Sequence, residues 1–215
     1  QFGGIAGDVD WTNDNRTDIA FARTQIPTAS SEQIALAMAD LILHHFDLSP
    51  FAEKVRLMFG LKGLTWHSVD IPMVMPKPDL TSLTGGYRKT PVLQVGADIY
   101  CDTRLIAREL ERRFPSPTLY PDGGAGLAHA LAAWSDRVFF DPGAGLSMGT
   151  NQAYIPAPVL EDRKAFFNFM DFSRLEEDIP HLSTQVMVAL ELIEQQLADG
   201  RAYLTGPLAG LADIH

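Results

Sequence analysis

The 215-residue sequence contains one cysteine, Cys101. A lone thiol cannot close an internal disulfide, and a chain built without disulfides suits the reducing cytoplasm. With one cysteine and six histidines, donors for a structural zinc site are scarce, and no metal is expected. His44 and His45 are neighbours in a stretch that reads as a strand, so they face opposite ways. Long hydrophobic runs are missing too. None approaches the ~20 apolar residues that a membrane-crossing helix needs, so no membrane partner is expected. Basic residues are few, 17 against 27 acidic, for a net charge of −10. Such a balance argues against a nucleic-acid backbone as partner.

What is present fits a globular protein. Hydrophobic residues make up 46% and charged residues 20%, and the length suffices for two small domains or one large one. The charge is uneven. Residues 38–113 carry 9 acidic and 10 basic side chains, whereas residues 114–215 carry 13 and 5. The nearly neutral middle, with Arg88, Lys89 and two helix N-termini, can hold a small anion.

Residues 1–37 are rich in Asp, Asn and Thr without a sustained period, and they read as a disordered or non-native extension ahead of Met38. From there the spacing predicts strand 40–46, helix 50–62, strand 65–70, strands 91–95 and 98–101, and helix 103–113. Three prolines in Ile71–Pro78 make 71–89 an irregular stretch with at most a short helix. The opening strand–helix–strand unit calls for a right-handed crossover between parallel strands. Residues 114–123 read as a linker, and 124–215 as helical. Leu127, Leu131, Trp134 and Val138 mark one apolar face; Phe166, Phe169 and Met170 a second; Leu182, Val186, Leu190, Ile193 and Leu197 a third, closed by Gly200. Between the first two, 141–158 reads as a loop from its glycines and prolines.

Everything turns on Asp47–Arg56. Ser49 stands at an N-cap and Pro50 at the first helical position, so free N–H groups and the positive helix end face whatever lies beside Ser49. Ser49 is either a plain cap or a donor to a bound thiolate. Ser49-Pro50-Phe51-Ala52 has no cysteine at either end, so disulfide exchange by the protein's own thiols is excluded there.

This turn, with Thr90-Pro91-Val92-Leu93, Asp102-Thr103 and Leu204–Asp213 in that order, resembles the cytosolic glutathione transferase superfamily over residues 39–215. The resemblance implies an α/β thioredoxin-like N-terminal domain (38–113) and an all-α C-terminal helical domain (124–215). In that family Gly210-Leu211-Ala212-Asp213 starts a central buried helix. The sequence ends about one turn into it, which suggests an incomplete, truncated second domain. The implied reaction conjugates the thiolate of glutathione, as co-substrate, to a small apolar electrophile, in a cytoplasmic homodimer. Alternatives are glutathione-dependent isomerisation or dehalogenation, and a non-catalytic glutathione- or ligand-binding scaffold.

By the same resemblance Ser49 is the catalytic donor. Lys89 meets the glycyl carboxylate, or is an ordinary exposed lysine. Thr90-Pro91 is a cis pair whose Thr90 backbone meets the peptide bonds of glutathione. Asp102 and Thr103 hold the γ-glutamyl end while capping a helix. Phe51, Trp134 and Tyr154 are candidates for an acceptor pocket, with core packing as the default for such aromatics.

Overall fold

The computed structural model describes residues 40–121 and 124–215; the expectation for 1–37 lies outside them, as do two residues of the linker. Four strands form one mixed sheet in the order β2-β1-β3-β4. They are β1 (Leu41–His45), β2 (His67–Asp70), β3 (Val92–Val95) and β4 (Asp98–Cys101). β1 runs parallel to β2 and antiparallel to β3, which is antiparallel to β4. Alternation in β1 buries Leu41, Leu43 and His45. Leu41, Leu43, Leu93 and Val95 pack on Val55, Met58 and Phe59 of α1 (Pro50–Lys62) and on Ile106 and Leu110 of α3 (Thr103–Arg113). The opposite face carries Val92 against Leu80 of the seven-residue α2 (Pro78–Thr84), the short helix that the proline-rich stretch allows. This is the thioredoxin-like arrangement.

A helical region follows: α4 (Gly124–Trp134), a π-helical segment Ser135–Phe139, α5 (Phe140–Asn151), a 3-10 turn Gln152–Tyr154, α6 (Ala157–Phe166), α7 (Leu175–Leu197) and α8 (Leu211–Ile214). The expected loop at 141–158 is therefore mostly helix. Two of its three glycines serve close packing: a Cβ at Gly145 would meet Leu182 Cδ1 at 3.1 Å, and one at Gly149 the Leu175 carbonyl oxygen at 3.0 Å. Pro142 is the third residue of α5, and the carbonyl four residues before it, on Val138, lies in the wide π turn, which makes room for a ring that clashes with that carbonyl in a regular helix. The predicted second helical face ends early, because α6 stops at Phe166 and leaves Phe169 and Met170 in irregular chain. On α4 the inward face is Ala128 and Ala132, while Leu127, and Val138 in the π-helical segment that follows, are exposed. Small side chains let α8 approach, and Leu211 joins them in the same core as the sheet. Leu190 of α7 is likewise exposed, and Ala189 takes the inward place.

Gly210 occupies the N-cap of α8, where Asp213 accepts from the Gly210 N–H at 2.9 Å. A Cβ there would come within 2.9 Å of the Leu119 carbonyl oxygen and 2.7 Å of the Pro121 ring. The close approach leaves no room for a side chain at this cap.

One buried histidine gives stability a pH dependence. His45 Nδ1 accepts from Arg56 Nη1 at 2.9 Å, and its Nε2 donates to Ser68 Oγ at 2.8 Å, an arrangement that only the neutral ring can make. Burial, then the Arg56 charge, lowers its pKa below 6.5. Between the folded and unfolded values only the unfolded chain takes up the proton. This contribution is full above pH 6.5 and is lost as the pH falls through the lower, folded value. Urea midpoints of wild type and His45→Gln should draw together as the pH drops from neutrality; a constant gap would refute the role.

Candidate functional site

The register brings three chain segments to one end of the sheet. His44 pairs with Val92, and Val92 with Cys101. The turn after β1, the start of β3 and the end of β4 therefore lie side by side, and they carry Ser49, Thr90-Pro91 and Asp102-Thr103. The sequence places its candidates far apart along the chain, and the sheet gathers them.

Ser49 is 4% exposed. Its Oγ accepts from the Ala52 N–H at 3.2 Å, so it caps α1 as expected. Among the described residues its own hydroxyl proton has no acceptor, leaving one donor beside the positive end of a 13-residue helix. Thr90-Pro91 is cis, and Thr90 Oγ1 donates to the His44 carbonyl oxygen at 3.4 Å. Asp102 caps α3 through the Arg104 N–H at 2.9 Å, with its backbone at φ 79°. Among the described residues it is the one non-glycine at positive φ, a conformation costing about 1–3 kcal/mol that concentrates at ligand sites. Its carboxylate is half exposed, whereas Thr103 is buried.

Lys77 is a site candidate that sequence reasoning missed. It is 4% exposed, at the N-cap of α2, with Nζ 5.4 Å from the centre of the Phe46 ring. Among the described residues its ammonium makes one long hydrogen bond, 3.4 Å to the Arg88 carbonyl oxygen. Burial, then the charges of Arg88 and Arg163, lowers its pKa. An ammonium with three donors and so little to bind is a natural anion holder. The available signal is a lone lysine between Pro76 and Pro78. Lys89 is exposed, with Nζ 5.7 Å from the centre of the Phe166 ring.

Aromatic rings run from the Ser49 side to the lysines. Phe51 meets Phe140 edge-on at 4.8 Å, and Phe140 lies 6.0 Å from Phe169. Phe169 then contacts Phe167 at 5.0 Å, which lies 5.2 Å from Phe166. Lys54 lies over Phe51 and pairs with Asp136 in the π-helical segment, fixing α1 to the helical region. Burial pushes the Asp136 carboxyl up, but hydrogen bonds from His215 and Lys54 hold it below the usual carboxylate range. Of the three acceptor candidates, Phe51 belongs to this aromatic row. Trp134 stacks on Phe139 instead, and Tyr154 is 85% exposed. Phe140 is an aromatic that sequence reasoning passed over, its role being set by tertiary contact alone.

Comparison with known proteins bears on the fold and family. Residues 43–118 match the family described as glutathione S-transferase, N-terminal domain. A solved GST-like protein from Pseudomonas syringae is 43% identical, with a TM-score of 0.60 over 82% of this chain and 55% of its own. FtsZ-localized protein A of Caulobacter vibrioides is 30% identical over 102 residues, 45% of each chain. A probable glutathione S-transferase from Solanum tuberosum is 24% identical across 62% of this chain and 70% of its own. The match thus covers under half of the Caulobacter protein and little more than half of the Pseudomonas one. Residues 43–118 therefore belong to the glutathione S-transferase N-terminal domain family, and over 82% of its length the chain shares the fold of a glutathione S-transferase-like protein.

Proposed function

We propose that the protein binds glutathione at this end of the sheet and directs its thiolate onto a small apolar electrophile. The observation that carries the reading is the convergence of a free hydroxyl proton at a helix N-terminus, a carboxylate held at positive φ and a buried, underused lysine. In this reading Asp102 takes the γ-glutamyl ammonium, and Thr103 with the start of α3 the γ-glutamyl carboxylate. The Thr90 backbone pairs with the peptide bonds. Lys77 and Lys89 take the glycyl carboxylate. The Ser49 hydroxyl donates to the sulfur, and the α1 dipole adds to the effect. Each unit by which the thiol pKa falls corresponds to about 1.4 kcal/mol of thiolate stabilisation. The thiol proton leaves to solvent, sulfur bonds to the electrophilic carbon, and the leaving group departs with its electron pair. The row of phenylalanines from Phe51 to Phe166 is the surface for an apolar acceptor.

Ser49→Ala tests this. Loss of the cap lowers stability by ~0.5–2 kcal/mol whatever the function. The enzyme reading adds a rise in the pKa of bound glutathione, followed through its ultraviolet thiolate absorbance. A second reading, a glutathione-binding scaffold without catalysis, is favoured by the likeness to FtsZ-localized protein A. Bound glutathione that stays fully protonated near neutral pH in the wild type would establish the scaffold instead.

A further inference from the structure

Asp162, on α6, contacts two separate segments of the sheet domain. Its side chain is 8% exposed. Oδ1 accepts from the Met75 N–H at 3.1 Å and from Arg88 Nη2 at 2.6 Å, while Oδ2 accepts from Arg163 Nη1 at 2.7 Å. Met75 stands two residues before Lys77, and Arg88 directly before Lys89. The Arg88 carbonyl oxygen also receives the Lys77 ammonium. One carboxylate from the helical region therefore ties together the two stretches that carry the two lysines.

We infer that Asp162 is a positioning residue for the anion-binding end of the site, holding segments 75–77 and 88–89 at a fixed separation so that Lys77 and Lys89 can meet one carboxylate together. This rests on the glutathione reading above. Three observations argue for more than a staple between two halves. First, both tied segments lead straight into a lysine. Second, Lys77, Arg88 and Arg163 gather around this single acid, and an incoming carboxylate offsets the surplus positive charge. Third, Asp162 occupies the Arg88 guanidinium, which also lies 4.8 Å from the centre of the Phe166 ring. Without Asp162 that guanidinium loses its anchor, and the Arg88-Lys89 segment is free to shift away from Lys77. The carboxyl stays ionised in this role. Burial pushes it up, but the Met75 N–H, the Arg88 hydrogen bond and the Arg88 and Arg163 charges hold it below the usual range.

The test compares glutathione with its glycyl ethyl ester, which differs at that carboxylate alone. Calorimetry on the wild type should show a preference for free glutathione. Asp162→Asn should lower glutathione affinity about tenfold and leave the ester within about twofold, so the preference disappears. Should Asp162→Asn melt too low to titrate, Arg88→Gln cuts the same tie from the other side, and the same selective loss is expected. Equal losses for both ligands, or no loss for either, would overturn the inference while leaving the glutathione reading standing. A wild type that binds neither ligand would overturn both.

Discussion

Lys62→Met is expected to cost roughly 3–5 kcal/mol of folding stability, because it leaves a half-buried carboxylate without its cation. The Lys62 side chain has no exposed surface. Its three protons are all used, on Glu111 Oε2 at 2.6 Å, the Phe114 carbonyl oxygen at 2.6 Å and the Pro117 carbonyl oxygen at 2.9 Å. Glu111 in turn accepts from the Leu119 N–H at 3.0 Å and from the Thr118 hydroxyl. Burial pushes the Glu111 carboxyl up, yet these hydrogen bonds and the Lys62 charge hold it below the usual range. The last turn of α1, the end of α3 and the chain leading toward α4 are thus knotted at one ammonium. Against a typical total of about 5–15 kcal/mol, losing it is severe. Adding Glu111→Gln to Lys62→Met should recover part of the loss, since no unpaired charge remains buried. Urea denaturation of the single variant showing less than about 1 kcal/mol lost would contradict this, placing the pair in the class of weak surface bridges.

Some of this architecture is open to sequence reasoning because its causes are local. Alternation in Leu41–His45 and the Ser49-Pro50 start of α1 each depend on a few adjacent residues. The helical region is harder to read for a physical reason. Glycine weakens an isolated helix, yet it is also the residue that lets two helices touch. Whether Gly145 and Gly149 do one or the other is decided by Leu182 and Leu175, some thirty residues away. The face of α4 escapes periodicity likewise, since Ala128 and Ala132 face in where close approach to α8 rewards small side chains over large ones. In the site, the residues carried by the family resemblance lie at strand ends, where position along the chain fixes position in space. Lys77 and Asp162 act through contacts across 11 to 87 residues of sequence, and only the folded chain brings those partners together.

The variant that most directly interrogates the proposed glutathione site is Asp102→Asn. Asparagine tolerates positive φ about as well as aspartate, and its side-chain oxygen still accepts from the Arg104 N–H. The backbone at φ 79° and the cap on α3 are therefore retained, and only the negative charge is removed. If that charge holds the γ-glutamyl ammonium, glutathione affinity should fall by about 1.5–3 kcal/mol, roughly 10–150-fold. Half exposure of the carboxylate places the expected loss toward the lower end, because solvent screens part of the attraction. Asp102→Ala is the poorer probe: it removes the cap and puts a Cβ without a local hydrogen bond at positive φ, so folding and binding would fail together. Calorimetry with Asp102→Asn, alongside a thermal melt, separates the two. An unchanged melting temperature with about tenfold weaker binding assigns the ammonium to Asp102, and unchanged binding would place the γ-glutamyl end elsewhere.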